Sequence, residues 1–325
     1  MRINTVTGSI GTDELGRTLI HEHVLIATPG WFMDARRPAF QRREAIERAV
    51  DAFQQLHAYG VRTVVDPCPV DLGRDVEMYE EVSRKTGIRL IAATGAYTEA
   101  QGIPHTLRSM SEEEIADSFI REIEDGVGDT GIRCGIIKVA TGRGQVTDYE
   151  RKVISAATRA AKATGVPILA HTDGCTCGHE QIDIVTGGGL SSSSLIVGHS
   201  CDQDVPDYQR SLAERGAYVG FDRFGLEIEV TDAVRARNLA ALAQAGHQER
   251  ILVSHDAVAC WKGRAGKVEP EVLEAAHPNW RMTHFFENVI PELRRLGMSD
   301  ADFTDITVTN PRRYFEEAHR HAYAG

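Results

Sequence analysis

Six side chains able to bind a metal or handle a proton stand at the ends of short β-branched runs: His21, His23, Lys138, His171, His199 and Asp256. In His21-Glu22-His23, the two-residue period of extended chain sends both imidazoles to one face and Glu22 to the other. Two imidazoles aimed the same way from one strand can share a metal ion. A lone strand-end histidine is more often a hydrogen-bonded structural residue, and a lone lysine there more often reaches to solvent. Here five separate strand ends carry such groups, and that coincidence favours metal binding. Six groups exceed the four ligands typical of one tetrahedral zinc and suit two metals sharing a bridge. Lys138 is the odd member, because an ammonium has three donors and no acceptor. Beside cations its charged form is disfavoured, so it must be neutral or modified. A neutral amine can add carbon dioxide to give a carbamate, whose two oxygens can each reach one metal.

Such a constellation needs a scaffold that gathers distant strand ends. Short β-branched runs alternate along the chain with longer amphipathic stretches, the pattern of βαβ units around a parallel sheet. Candidate strands end at His21-Glu22-His23, Val64-Val65-Asp66, Ala92-Ala93-Thr94, Ile136-Ile137-Lys138, Leu169-Ala170-His171, Val197-Gly198-His199, Val219-Gly220-Phe221-Asp222 and Leu252-Val253-Ser254-His255-Asp256. Apolar residues at three- and four-residue steps predict helices over 43–59, 111–125, 148–163, 207–215 and 232–245. Gly60, Gly87 and Gly165 suit left-handed helix C-termini before strands. Eight β/α units in one 325-residue chain predict an α/β fold, a closed TIM (β/α)8 barrel forming a single domain over 1–325. In that fold the carboxyl ends of the strands meet at one face. An open doubly wound sheet would carry a glycine-rich phosphate loop after its first strand, and none is present. Gly187-Gly188-Gly189 and Ser191 to Ser194 read as a loop before a strand rather than a linker. From Asn279 onward the chain reads as mostly helical and is expected to pack around the barrel exterior.

Composition excludes several function classes. The formal net charge of -11, from 47 acidic and 36 basic side chains, would repel a phosphate backbone and argues against nucleic-acid binding. No apolar run approaches the roughly 18 residues that cross a bilayer. The first residues carry no signal-peptide pattern, so a cytoplasmic protein is expected. Cys68, Cys134, Cys175, Cys177, Cys201 and Cys260 form no CxxC modules and read as reduced thiols. The Cys175-Thr176-Cys177 pair reads as a loop near the barrel mouth, with zinc binding the alternative.

The run Thr18-Leu19-Ile20-His21-Glu22-His23, preceded by Leu15-Gly16, resembles the opening signature of the phosphotriesterase family in the amidohydrolase superfamily. The likeness continues at Gly135-Ile136-Ile137-Lys138, His171-Thr172, Gly198-His199 and Ser254-His255-Asp256. It implies that His21, His23 and Asp256 bind the more buried of two divalent metals and His171 and His199 the outer one. Carbamylated Lys138 would bridge them. Ligands of these types suit zinc first, and also cobalt, manganese or iron. Gly95-Ala96-Tyr97-Thr98 and Asp222-Arg223-Phe224-Gly225 resemble the phosphotriesterase-like lactonase branch. That likeness implies a Tyr97 beside the metals and an Arg223 near the mouth that helps place the eighth loop. The alternatives are an ordinary strand-end aromatic and a surface arginine paired with Asp222. The loop Ala257 to Gly263 departs from the pattern, and its Trp261 either lines an acyl-chain channel or covers the barrel edge.

The resemblance thus implies a quorum-quenching lactonase, a homodimer, that opens N-acyl-homoserine lactones. Two metals about 3.5–4 Å apart can turn a bridging water into a hydroxide nucleophile near neutral pH. Asp256 can take its proton and pass it to the leaving alkoxide, while Tyr97 helps stabilise the oxyanion. Organophosphate triesters, tetrahedral at phosphorus, are expected as side substrates. The rivals are a phosphotriesterase or aryl esterase and, remotely, a non-catalytic metal-binding protein.

Overall fold

The computed structural model describes residues 1–35, 39–265 and 268–322. It begins with an antiparallel hairpin, β1 (Arg2–Thr5) and β2 (Gly8–Gly11), which nothing in the sequence pattern marked. The β-branched runs then pair as eight parallel strands. They are β3 (Arg17–Leu19), with its continuation β4 (His23–Ala27), then β5 (Val61–Asp66), β6 (Arg89–Gly95), β7 (Ile136–Ala140), β8 (Ile168–His171), β9 (Leu195–Val197), β10 (Tyr218–Phe221) and β11 (Ile251–Val253), with its continuation β12 (Val258–Lys262). Neighbours in the sheet are neighbours in sequence, with β3 and β11 at its two ends. Those ends meet through their continuations: β4 and β12 pair in parallel, with Val258 opposite His23. In the break between, Asp256 N donates to His21 O (3.0 Å) and His23 N to Ala257 O (2.8 Å). The predicted barrel is what forms.

Helices follow the strands: α1 (Arg42–Gln55), α2 (Val76–Thr86), α3 (His105–Ser109), α4 (Glu112–Glu124), α5 (Asp148–Thr164), α6 (Gly178–Gly187), α7 (Pro206–Glu214) and α8 (Asp232–Leu242). After β12 come α9 (Pro270–Ala276), α10 (Ile290–Arg295), α11 (Asp300–Thr304) and α12 (Asn310–Ala322). Ser111 and Thr147 start α4 and α5 through capping boxes, each closed by the glutamate three residues on, which satisfies amide groups that a helix start leaves unpaired. Gly60, Gly87 and Gly165 each take up left-handed backbone where a helix ends, as expected.

Two apolar layers hold the barrel. The outer one packs the helices on the strands through residues such as Phe53, Val64, Val82, Phe119, Ile154 and Leu239. The inner one fills the barrel with Ile20, Val65, Ile91, Ile136, Leu169, Ile196 and Leu252, and it also contains Tyr314 and Phe315 of α12. Tyr314 Oη donates to the carbonyl of Ile168, the first residue of β8 (2.6 Å). The expectation for the C-terminal segment is therefore corrected in part. Its last helix closes the amino-terminal end of the barrel instead of lying on the outside, because its two buried aromatics need the apolar interior. The opposite end is left for chemistry.

The first and last barrel strands stop short of the sequence expectation. His21 and Glu22 fall in the break between β3 and β4, and Ser254-His255-Asp256 in the break between β11 and β12. Regular pairing yields there to site geometry: Asp256 has φ +55°, as His199, just beyond the end of β9, has φ +56°, left-handed values that cost a non-glycine residue about 1–2 kcal/mol. Such conformations concentrate at functional sites.

Candidate metal centre

The six sequence-selected residues converge on one cavity of about 200 Å³ at the carboxyl ends of the strands. Asp256 is the hub. Its Oδ1 lies 3.1 Å from His23 Nε2 and 3.3 Å from His21 Nε2, and its Oδ2 lies 3.8 Å from His199 Nε2. Lys138 Nζ is 3.5 Å from His21 Nε2. The His171 ring meets His199 edge to face, with centroids 4.5 Å apart. All but the half-buried Asp256 are almost fully buried.

Outer carboxylates set the imidazoles. Asp222 takes His21 Nδ1 on one oxygen (2.9 Å) and His199 Nδ1 on the other (3.1 Å), while Asp66 faces His23 Nδ1 (3.2 Å). A carboxylate at Nδ1 holds the proton there and leaves the Nε2 lone pair pointing into the site. Glycine makes room for this: a Cβ on Gly198 would come 2.5 Å from Ala170 O, one on Gly220 2.9 Å from Gly198 Cα, and either 3.1 Å from the Asp222 carboxylate. Burial alone would raise the Asp222 carboxyl, but His199 and His21 hold it well below the usual carboxylate range.

Burial and Lys138 push His21 down to about 4, and burial also lowers His171 and, with Arg223, His199. Three unprotonated imidazoles therefore face the cavity at neutral pH. His23 goes the other way: burial lowers it, but Asp256 and Asp66, one at each ring nitrogen, raise it well above the usual value. Positive charge is thus favoured between His23 and Asp256, where a metal would replace a proton. Burial also pushes Lys138 down to about 8 against the pull of Asp256 and Asp222.

Among the described residues, three gatherings of ligand atoms are tight enough for an ion: His21-His23-Asp256, His21-His199-Asp222 and His23-Asp66-Cys68. In the second and third, Asp222 and Asp66 already bind the Nδ1 atoms of these histidines, and the Cys68 thiol donates to Leu72 O (3.1 Å). The first keeps imidazole nitrogens aimed at a shared carboxylate oxygen. It is the gathering whose donor set fits a cation.

Tyr97 and Arg223 line the same cavity. Tyr97 Oη lies 3.1 Å from His171 Nδ1, and Asp71 Oδ2 accepts its backbone N–H (2.8 Å). Burial pushes the phenol up, so it remains a donor. Arg223 does not pair with Asp222: its Nε donates to Asp256 Oδ2 (2.9 Å) and its Nη1 to the buried Asp202 (2.5 Å). Ile26, Leu72, Leu226, Val258, Trp261 and Trp280 supply an apolar wall. All six cysteines are free and buried, Cys175 and Cys177 included.

Asp66, Asp202 and Glu22 carry no role in the sequence reading, and Asp222 enters it only beside Arg223, not as the partner of His21 and His199. Asp66 and Asp222 had a signal, since both end candidate strands beside the ligands. Asp202 and Glu22 are recognised only by their partners.

Comparison with known proteins gives a consistent picture. The model of the phosphotriesterase family matches residues 1–315. An aryldialkylphosphatase of Saccharolobus solfataricus is 34% identical, covering 97% of this chain and all of that one. A solved organophosphorus hydrolase from Deinococcus radiodurans is 35% identical over 97% of both chains, with a TM-score of 0.92. A mutant of a phosphotriesterase-like lactonase from the same organism superposes with a TM-score of 0.91 at 35% identity, over 96% of this chain and 99% of that one. Among the described residues, no helix is long and apolar enough to cross a membrane.

Proposed function

Because this chain belongs to the phosphotriesterase family of metal-dependent hydrolases, we propose that it hydrolyses lactones, N-acyl-homoserine lactones first among them, with organophosphate triesters as secondary substrates. The observation that carries this reading is Tyr97, a half-buried donor held 3.1 Å from His171 in a cavity whose remaining wall is largely apolar.

In this proposal His21, His23 and Asp256 would hold one divalent cation and His171 and His199 a second, zinc in the first instance. Lys138, partly unprotonated near neutral pH, could add its lone pair to carbon dioxide and lose a proton to water, and the resulting carbamate would supply oxygen ligands to the site. Bound there, the cations supply a water activated at neutral pH and an electrophile for the substrate carbonyl. Tyr97 donates to the carbonyl oxygen as it gains charge. Asp256 accepts the proton of the attacking water and returns it to the alkoxide released when the ring C–O bond breaks. The product is a hydroxy acid. Arg223, bonded to Asp256 Oδ2, keeps that carboxylate turned towards the site, and the wall around Trp261 receives the acyl chain.

The 34% identity to an aryldialkylphosphatase favours one second reading, a phosphotriesterase as the main activity. A panel of acyl-homoserine lactones, δ-lactones and paraoxon on one metal-loaded preparation separates the two. Lactones should lead in kcat/KM by at least about tenfold, roughly 1.4 kcal/mol of transition-state discrimination. Tyr97→Phe should lower lactonase activity by about 10²-fold or more and paraoxonase activity less. Paraoxon as the better substrate, or an equal loss of both activities, overturns the lactonase reading.

A further inference from the structure

Glu22 stands between two proposed ligands, yet its side chain points away from them and is fully buried. Its carboxylate receives four hydrogen bonds, all from the segment that carries Asp256. Oε1 accepts from Ser254 Oγ (2.8 Å), His255 N (3.0 Å) and His255 Nδ1 (2.5 Å), and Oε2 accepts from Ala257 N (3.0 Å). These donors lie on both sides of Asp256, whose own N–H goes to His21 O (3.0 Å).

The donors are themselves fixed. Phe285 N donates to His255 Nε2 (2.9 Å), so Nδ1 carries the proton that goes to Glu22. Trp280 Nε1 donates to His255 O (3.0 Å), and Ser254 Oγ accepts from His21 N (3.0 Å). The seam between β3 and β11 lacks the ladder that joins the other barrel strands, and Glu22 supplies four of the hydrogen bonds that cross it, beside those of the Ser254 hydroxyl and the backbone. Asp256 has left-handed backbone, φ +55°, which an aspartate keeps only when its surroundings over-determine it.

We propose that Glu22 is a positioning residue. Through His255 and Ala257 it holds Asp256 in the left-handed conformation, with Oδ1 on His21 and His23 and Oδ2 on Arg223. This rests on the reading of Asp256 as metal ligand and proton acceptor.

Glu22→Gln tests it. With its amide oxygen at the Oε1 position, glutamine keeps three acceptances but sets its NH2 against Ala257 N–H, donor against donor. In the metal-loaded variant kcat on a lactone should fall about tenfold or more, the usual scale for a group that orients a ligand, with KM nearly unchanged. The visible absorption bands of the cobalt-substituted variant should shift from those of the unmodified chain at equal metal content. Glu122→Gln breaks another carboxylate network, the paired bonds to Arg74 (2.7 Å each). It should lower Tm but leave kcat and the bands alone. Ser254→Ala removes one donor to Glu22 and should shift the bands in the same direction, so it carries the test if Glu22→Gln does not fold. Unchanged kcat and bands at full metal content overturn the positioning role and leave the metal site standing. An unmodified chain that binds no metal overturns the reading of Asp256 itself.

Discussion

A cation needs lone pairs, and burial supplies them here by keeping His21, His171 and His199 below their usual protonation range. Asp222 then decides which nitrogen is free, bonding Nδ1 of His21 and of His199 at once. Asp222→Asn can accept from only one of those rings, so metal affinity should fall about 10–100-fold. Dialysis against a graded chelator would measure this, and an unchanged affinity would remove Asp222 from the account. Lys138 titrates at about 8, and only its unprotonated amine adds carbon dioxide. Carbamate formation in the metal-free chain should therefore rise as pH rises through 8 and fall below it, read from the carbonyl signal after addition of ¹³C-bicarbonate. A falling signal over that range contradicts the assignment. The ligand candidates were legible because each follows a β-branched run and two share an HxH spacing. Asp222 ended a candidate strand but its task was not legible, since it joins His199, 23 residues before it, to His21, 201 residues before it. Glu22 gave no signal, because its partners lie more than 230 residues away and a lone carboxylate in sequence does not say what it will meet.

At the scale of elements, alternating β-branched and amphipathic stretches were enough to place all eight barrel strands and the helices at 43–59, 111–125, 148–163, 207–215 and 232–245, but did not single out α2, α3 or α6. Capping boxes at Ser111 and Thr147 sharpen two of those starts. Three features lay outside that logic. The β1–β2 hairpin has strands of four residues each, too short for a period to register. The β4–β12 pairing joins segments more than two hundred positions apart. The docking of α12 depends on where Tyr314 and Phe315 point, and helical periodicity alone gives only that they share a buried side. Tyr314→Ala should cost about 3–5 kcal/mol, the usual loss for a deleted core aromatic, and lower Tm while leaving kcat/KM of the surviving folded protein within about twofold, since stability and catalysis sit at opposite ends of such a barrel. Denaturant titration and kinetics on the same sample would check this. A large loss of kcat/KM at unchanged stability would contradict the division.

Taken as a whole, the molecule separates its tasks by layer: an apolar interior closed by α12 at one end, a ring of helices outside, and at the other end buried charge arranged around one cavity. The surplus of acidic side chains lies outside that cavity's logic and disfavours anionic polymers as ligands. In the proposed mechanism the six converging residues hold two metal ions, and hydrolysis depends on them. Elemental analysis of the purified chain, alongside its lactonase rate, tests this most directly. Between one and about two equivalents of a divalent transition metal are expected, matching a two-metal site, with activity lost on chelation and restored by added metal. A fully active chain holding less than about a tenth of an equivalent would contradict a mechanism in which the metals generate the nucleophile.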